Sequence, residues 1–326
     1  MPEAISRRSF LKGGVAAVGS AAALAVPSVA AADDDGRNQL ATLLDISKCI
    51  GCGACVEGCR EANSHKFPAP EKPLPRMYPS RVKVEDWSDK RDVRDRLTPY
   101  NPLFIQQAEV EINGRKETFT IPRRCMHCVN PPCVNLCPWG AAKQFKNGAS
   151  RIDYEVCLGG SKCRKVCPWH IPQRQSGVGL YLDLMPSFAG NGVMYKCDRC
   201  YDRVARGVKP ACIEACPTGV QQIGPRRDIL SLAHELADQT GGYIYGEVEN
   251  GGTNTIYVSP VPFEDLDSAV ERGPGRPHLS AAANAMDKAE NLTVAMLIAP
   301  FAGIAAAAGK FYKYVKSGQP DSQGRR

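Results

Sequence analysis

Histidine is scarce in this chain, with five residues among 326. His65, His127, His170, His234 and His278 are too scattered to form a haem or zinc constellation. Also missing are a Gly-rich nucleotide fingerprint, paired carboxylates at a credible site, and any run that would hold a nickel-iron or pterin centre. These absences exclude the common kinds of self-contained catalyst. The formal charge of +7 has no nucleic-acid motif beside it and no interleaving of aromatic with basic residues, which excludes nucleic acid as a partner. Arg7, Arg8 and Lys12 against Glu3 account for +2 of that charge, leaving +5 for the rest. With 43% apolar and 23% charged residues, the composition is that of an ordinary globular chain of one or two domains.

Cysteine is the exception. All fifteen lie between Cys49 and Cys216, in four groups that each end in a Cys-x3-Cys step. The first is Cys49, Cys52, Cys55 and Cys59, the C-x2-C-x2-C-x3-C ligand run of iron-sulfur clusters. In the second, Cys125, Cys128, Cys133 and Cys137, the middle gap has grown to four residues. The third has only Cys157, Cys163 and Cys167, with Gly160 where a second cysteine would stand. In the fourth, Cys197, Cys200, Cys212 and Cys216, eleven residues fill the middle gap. Closely spaced cysteines let a tight loop wrap one face of a cubane with backbone N–H groups directed at its sulfurs. The last cysteine is expected to open a short helix and reach a neighbouring cluster. Pro138, Pro168 and Pro217, each directly after such a cysteine, suit a helix start. An odd count and pairs too close for stapling argue against disulfides, and the terminal Cys-x3-Cys-Pro is not a zinc-ribbon pattern. Arg60, Arg123, Arg124 and Arg164 lie beside the runs and are expected to offset the negative charge of thiolate-ligated clusters.

The two ends carry other signals. Ser6-Arg7-Arg8-Ser9-Phe10-Leu11-Lys12, a weakly apolar run and Ala30-Ala31-Ala32 resemble a twin-arginine export signal with its cleavage site. Near the other end, residues 293 to 309 contain no charge and are followed by Lys310, Phe311, Tyr312, Lys313, Tyr314 and Lys316. This is a short membrane anchor with lysines on the cytoplasmic side, or else a helix buried against a partner subunit.

In order and spacing, the four groups resemble the four-cluster, double-ferredoxin electron-transfer subunits of membrane-bound oxidoreductases, over roughly residues 40 to 260. Dimethyl sulfoxide reductase, formate dehydrogenase and hydrogenase-2 have such subunits. In that family the first group pairs with the fourth and the second with the third. The resemblance implies one cluster on Cys49, Cys52, Cys55 and Cys216, and its neighbour on Cys197, Cys200, Cys212 and Cys59. It implies a third on Cys125, Cys128, Cys133 and Cys167, which leaves Cys157, Cys163 and Cys137 for the last. Three thiolates suffice for a 3Fe-4S cluster, and respiratory nitrate reductase replaces this same cysteine, with Trp, and carries one. A water-capped 4Fe-4S cluster and a lost site are the alternatives. The expected cofactors are therefore three 4Fe-4S clusters and one 3Fe-4S cluster.

The implied fold is α+β, two ferredoxin-like lobes forming a double dicluster ferredoxin, with a C-terminal transmembrane helix. The expected boundaries are a signal over 1–32, a four-cluster domain over 33–260 with an insertion at 61–122, a linker over 261–291 and an anchor over 292–316. Asn113-Gly114 predicts a hairpin, Arg226 to Gln239 an amphipathic helix, and Tyr243 to Tyr245 and Thr255 to Val258 short strands. The Pro-rich stretch from Phe67 reads as irregular surface chain, His127 as a loop residue beside a cluster, and Trp139 and Trp169 as packing. The implied role is non-catalytic: a relay between a periplasmic catalytic subunit and a quinone-reactive membrane subunit. The residues after Tyr243 most resemble the hydrogenase-2 type, whose third cysteine run is complete, so a nickel-iron hydrogenase is the first choice of partner. A molybdopterin oxidoreductase or a multihaem quinone reductase complex is the alternative.

Overall fold

The chain falls into two units, Met1–Arg37 and Asn38–Arg326. In this computed structural model the described residues are 39–74, 76–77, 80–81, 83–184, 191–291 and a few positions from 296 to 312, all in the second unit. The twin-arginine segment lies outside them.

In chain order the elements that place the cysteines are β1 (Leu40–Asp45), α1 (Ala54–Asn63), β2 (Phe104–Ile112) and β3 (Arg115–Arg123). They continue with α2 (Pro132–Asn135), β4 (Ala142–Gln144), β5 (Ser150–Ile152), α3 (Lys162–Val166), β6 (Gln173–Gln175) and β7 (Val193–Tyr195). The last are α4 (Ala211–Glu214), β8 (Gln221–Pro225), α5 (Arg226–Thr240), β9 (Tyr243–Tyr245), β10 (Thr255–Ser259) and α6 (Phe263–Ala269).

Four strands form one sheet in the order β8-β1-β10-β9, with β1 parallel to β10 and the outer pairs antiparallel. β1 reads Leu-Ala-Thr-Leu-Leu-Asp without alternation because both its faces are covered. Ala41 and Leu43 pack under α5 with Ile229, Ala233 and Ala237, while Leu44 faces the main core with Phe104, Ile121 and Tyr257. α5 stops at Gly241, whose left-handed backbone no side chain disfavours, and the N–H of Gly242 donates to the carbonyl of Ala237 at 2.8 Å.

The hairpin and the α5 helix fall where the sequence put them. Asn113 (φ 52°) and Gly114 (φ 75°) are both left-handed, as a two-residue turn between twisted strands demands. The insertion contributes to the core. Leu97, Tyr100, Leu103 and Phe104 are fully buried, and the Tyr100 hydroxyl donates to the carbonyl of Pro68 at 2.9 Å. Residues 261–291 differ from the expected linker: Val261, Phe263, Leu266, Val270 and Leu279 belong to the main core, and α6 packs on β2. Of the segment expected to be an anchor, only a few residues are described; Met296, Phe301, Ile304 and Tyr312 are helical and exposed. Among the described residues no helix is long and apolar enough to cross a membrane.

Two helix pairs organise the cysteines. α1 packs on α4, bringing the first and fourth groups together, and α2 on α3, joining the second and third. Gly58 permits the first contact: a Cβ there would lie 2.8 Å from the Ala215 Cβ and 3.3 Å from the Ala211 carbonyl oxygen. The inner pair, with hairpins β4-β5 and β6-β7, forms one lobe inserted into the chain between the two halves of the other.

Candidate functional site

Each cysteine group is built on the same local plan. The residue just before the second cysteine position has positive φ: Gly51 (68°), His127 (48°), Gly159 (64°) and Arg199 (59°). This backbone curls into a concave loop with N–H groups pointing inward, a shape suited to anionic sulfur. Gly159 adopts it even though Gly160, not cysteine, follows. A short helix then starts just before the third cysteine: Cys55 in α1, Cys133 in α2, Cys163 in α3 and Cys212 in α4.

The last cysteine of each group therefore comes at or after the third one's helical turn and opens no helix, contrary to the sequence expectation. Pro138, Pro168 and Pro217 begin turns instead, with Gly140 N–H donating to the Cys137 carbonyl and His170 N–H to that of Cys167. Proline suits this second position of a turn through its fixed φ.

Fifteen free thiols result, none in a disulfide. They converge on four cavities. One, of about 290 Å³, is lined by Cys49, Cys52, Cys55 and Cys216. A second, of about 610 Å³, is lined by Cys59, Cys197, Cys200 and Cys212. A third, of about 340 Å³, has Cys125, Cys128, Cys133 and Cys167. The fourth, of about 440 Å³, has Cys137, Cys157 and Cys163, with Gly160 on its wall. A Cβ on Gly160 would meet nothing within 4 Å, and its φ is not left-handed.

Shared elements put the cavities in a row. Cys55 and Cys59 on α1 line the first and second, Lys196 lines both the second and third, and Cys167 and Cys163, at the end of and within α3, line the third and fourth. The order is thus Cys52, Cys200, Cys128 and Cys157, naming one cysteine from each. Cys52 and Gly160, at the two ends, are exposed; Cys59, Cys200, Cys212, Cys125, Cys128 and Cys133, in the middle, are buried.

Burial dominates the thiols' chemistry. It pushes Cys55, Cys167 and Cys197 up to about 12 and Cys133 to about 11, with like charge from neighbouring cysteines adding to it at each. Cys59, Cys128 and Cys163 rise well above the usual thiol value for the same reasons. Such groups stay protonated unless bound metal takes the proton's place. Among the described residues no three His, Cys, Asp or Glu converge as ligands of a single ion. The thiols surround spaces, as a polynuclear cluster requires.

Charge supplies the second test of fit. Arg124 is buried and donates to the Cys212 Sγ at 2.9 Å and to Gln221 Oε1. Lys196, also buried, donates to the Cys125 Sγ at 3.5 Å and to the carbonyls of Ser150 and Cys197. Arg199 donates its backbone N–H to the Cys197 Sγ at 3.3 Å and its guanidinium to the carbonyls of Leu40 and Asn254. Neutral donors add to these: Asn63 to the Cys200 Sγ and the Met194 N–H to the Cys157 Sγ. The cavities therefore suit anionic clusters.

Of the four arginines expected to offset cluster charge, Arg124 alone donates to a cysteine sulfur. Arg60 donates to the carbonyls of Tyr100 and Arg91, Arg123 to that of His278, and Arg164 pairs with Glu85. Sequence reasoning passed over Lys196 and Arg199, although both sit in the run Lys-Cys-Asp-Arg-Cys. His127 does lie beside the cysteines, buried, its Nδ1 accepting from the Ser150 N–H at 3.1 Å. Trp169 is packed in the core with its indole N–H donating to the Tyr245 hydroxyl at 2.7 Å, whereas Trp139 is 39% exposed.

Residues 48–141 and 116–226 each match a family described as the 4Fe-4S dicluster domain. The hydrogenase-2 operon protein HybA of Escherichia coli O157:H7 is 30% identical over 305 residues, covering 81% of this chain and 83% of that protein. The chain belongs to the dicluster ferredoxin-type iron-sulfur subunits. The nitrate-inducible formate dehydrogenase iron-sulfur subunit of Escherichia coli K12 is 30% identical over 69% of each chain. That of the Haemophilus influenzae formate dehydrogenase is 32% identical over 69% of this chain and 65% of its own length. This iron-sulfur subunit is accordingly an electron-transfer component of the kind found in oxidoreductase complexes, with 4Fe-4S clusters as its cofactors.

Proposed function

We propose that the subunit relays electrons between a catalytic subunit at one end of the row of cavities and a quinone-reactive membrane subunit at the other. The observation that carries this reading is the row itself: four cysteine-lined cavities, buried in the middle and open at Cys52 and at Gly160. When bound, the clusters supply one-electron oxidation and reduction. The chain's part is to hold them in order, shield the middle pair from water and leave the ends accessible.

In this reading Cys49, Cys52, Cys55 and Cys216 hold one 4Fe-4S cluster, Cys59, Cys197, Cys200 and Cys212 a second, and Cys125, Cys128, Cys133 and Cys167 a third. Cys137, Cys157 and Cys163 hold a 3Fe-4S cluster. The left-handed loop kept at Gly159 and the three thiols that still line this cavity support an occupied site over one lost by drift. Gly160→Cys tests the vacant corner, because the side chain has room. Its EPR spectrum should lose a 3Fe-4S signal and gain a 4Fe-4S one, and an unchanged spectrum would return the site to a water-capped 4Fe-4S cluster.

A nickel-iron hydrogenase is the first choice of catalytic partner, supported by the match to HybA over 81% of the chain. A molybdopterin oxidoreductase is the second reading, favoured by the formate dehydrogenase subunits at similar identity. Twin-arginine export of residues 33 onward and anchoring through residues 292–316 would place the subunit on the periplasmic face of the cytoplasmic membrane. The exposed Met296, Phe301, Ile304 and Tyr312 support that anchor. The deciding experiment is metal analysis of the complex that co-purifies with a tagged copy from detergent-solubilised membranes under anoxic conditions. Nickel with iron supports the hydrogenase reading, and molybdenum or tungsten overturns it in favour of the second.

A further inference from the structure

Three buried cations in the middle of the row have no carboxylate partner among the described residues. Arg124, Lys196 and Arg199 are 4%, 6% and 4% exposed, and their hydrogen bonds go to cysteine sulfur, an amide oxygen and backbone carbonyls. Asp198, between two of them in sequence, is taken by Lys66 at 2.8 Å. The three lie together: all line the cavity of Cys59, Cys197, Cys200 and Cys212, and Lys196 also lines that of Cys125, Cys128, Cys133 and Cys167. They also stand between two sites. Arg124 touches Cys212 of one central set, Lys196 touches Cys125 of the other, and Arg199 touches Cys197 through its backbone N–H.

Charges buried this deeply without a counter-ion are strongly unfavourable, so their partners must be the anionic groups that the two thiol sets would hold. Adding an electron to a cluster makes it more negative, and a fixed positive charge nearby in low dielectric favours that reduced state. The two end sites have no comparable cation: among the described residues no Lys or Arg side chain donates to the sulfur of Cys49, Cys52, Cys216, Cys137 or Cys157.

We propose that Arg124, Lys196 and Arg199 form a cationic partition shared by the two central clusters, which raises the reduction potentials of both. Arg124 acts chiefly on the site of Cys59, Cys197, Cys200 and Cys212, and Lys196 on that of Cys125, Cys128, Cys133 and Cys167. They are positioning residues in the electrostatic sense, acting through the ligands. The proposal rests on the four-cluster reading above.

The test is an EPR-monitored redox titration of the full chain with its clusters, alongside iron and sulfide content. Gln221→Glu is the most informative variant, because it sets a carboxylate of the same shape against Arg124 Nη1 and neutralises it in place. Arg124→Gln removes the charge, and Arg124→Lys retains it. In Gln221→Glu and Arg124→Gln, one midpoint should fall by at least the equivalent of a tenfold change in the reduced-to-oxidised ratio, about 59 mV for one electron. Lys196→Met should lower a different midpoint, and Arg124→Lys should stay near the wild type. If Gln221→Glu keeps its iron and all its midpoints, the proposal is overturned. Fewer than four clusters in the wild-type chain would break the four-cluster reading instead, a result visible before any variant is made.

Discussion

The two central cavities and the two end cavities share one backbone plan and differ in what surrounds it. At the centre no thiol is exposed, six of the eight are buried and Cys167 and Cys197 partly so, cations reach the sulfurs, and α1 and α4 meet at Gly58 with no room for a Cβ. At the ends Cys52 and Gly160 reach solvent, and Ile50 and Trp139 are 66% and 39% exposed. One loop-and-turn unit thus serves two purposes. Where it is covered, the chain sets the electrostatics of the site; where it is open, contact with another protein must complete the environment.

Removing the iron should show the largest contrast. The central cations, which have no carboxylate partner among the described residues, would be left without counter-ions, at an effective cost of several kcal/mol per ion. Chelation under anoxic conditions should therefore make residues 124–216 protease-sensitive, and a chelated chain that resists cleavage there would erase the distinction. Tryptophan gives the next largest effect. Trp169→Ala, behind the Cys125 site, should cost about 3–5 kcal/mol, whereas Trp139→Ala at the open end should change stability by no more than about 0.5 kcal/mol. Thermal melts of the loaded proteins compare them directly.

Glu85 provides a pH test near the Cys163 helix. Burial raises its pKa, but bidentate bonds from Arg164 and a bond from Arg174, each at 2.7 Å, outweigh this and hold the carboxyl below its usual range. A lowered folded value means the stabilisation is present above the ordinary carboxylate range and is lost as pH falls through the folded value. Glu85→Gln should cost about 1.5–3 kcal/mol at pH 7. The gap from wild type should close as the medium is acidified, and a gap independent of pH would assign the loss to packing. Gly58→Ala should cost about 1–3 kcal/mol by forcing α1 from α4. Its melt should show this without any change at the Gly160 end.

Local signals in the sequence were read correctly wherever one short stretch decides the structure. Asn113-Gly114 suits a turn with two left-handed residues, and the spacing of Ile229, Ala233 and Leu236 marks the buried side of α5. Residues 261–291 were misread because α6 is only seven residues long, too short for its period to show among Glu264, Asp265 and Asp267. Its apolar partners on β2 are distant in sequence. Charge near cysteine was legible as a need but not as an assignment. Arg60 and Arg164 sit next to cysteines yet turn to carbonyls and to Glu85, while Lys196 and Arg199 turn inward. Which way a flexible cation turns depends on the packed lobe around it, and the linear run carries no record of that. The cysteine-proline step misled in a similar way, since proline's fixed φ serves a helix start and a turn equally well.

The nesting of one lobe inside the other also fixes an order in time. Every cysteine lining the two inner-lobe cavities has been made once residue 167 leaves the ribosome, whereas the other two wait for Cys212 and Cys216. The parallel pairing of β1 with β10 comes later still, when Thr255 meets Thr42. During synthesis the inner lobe can take up its metal early, while the outer lobe remains two separated halves that only the finished chain can bring together.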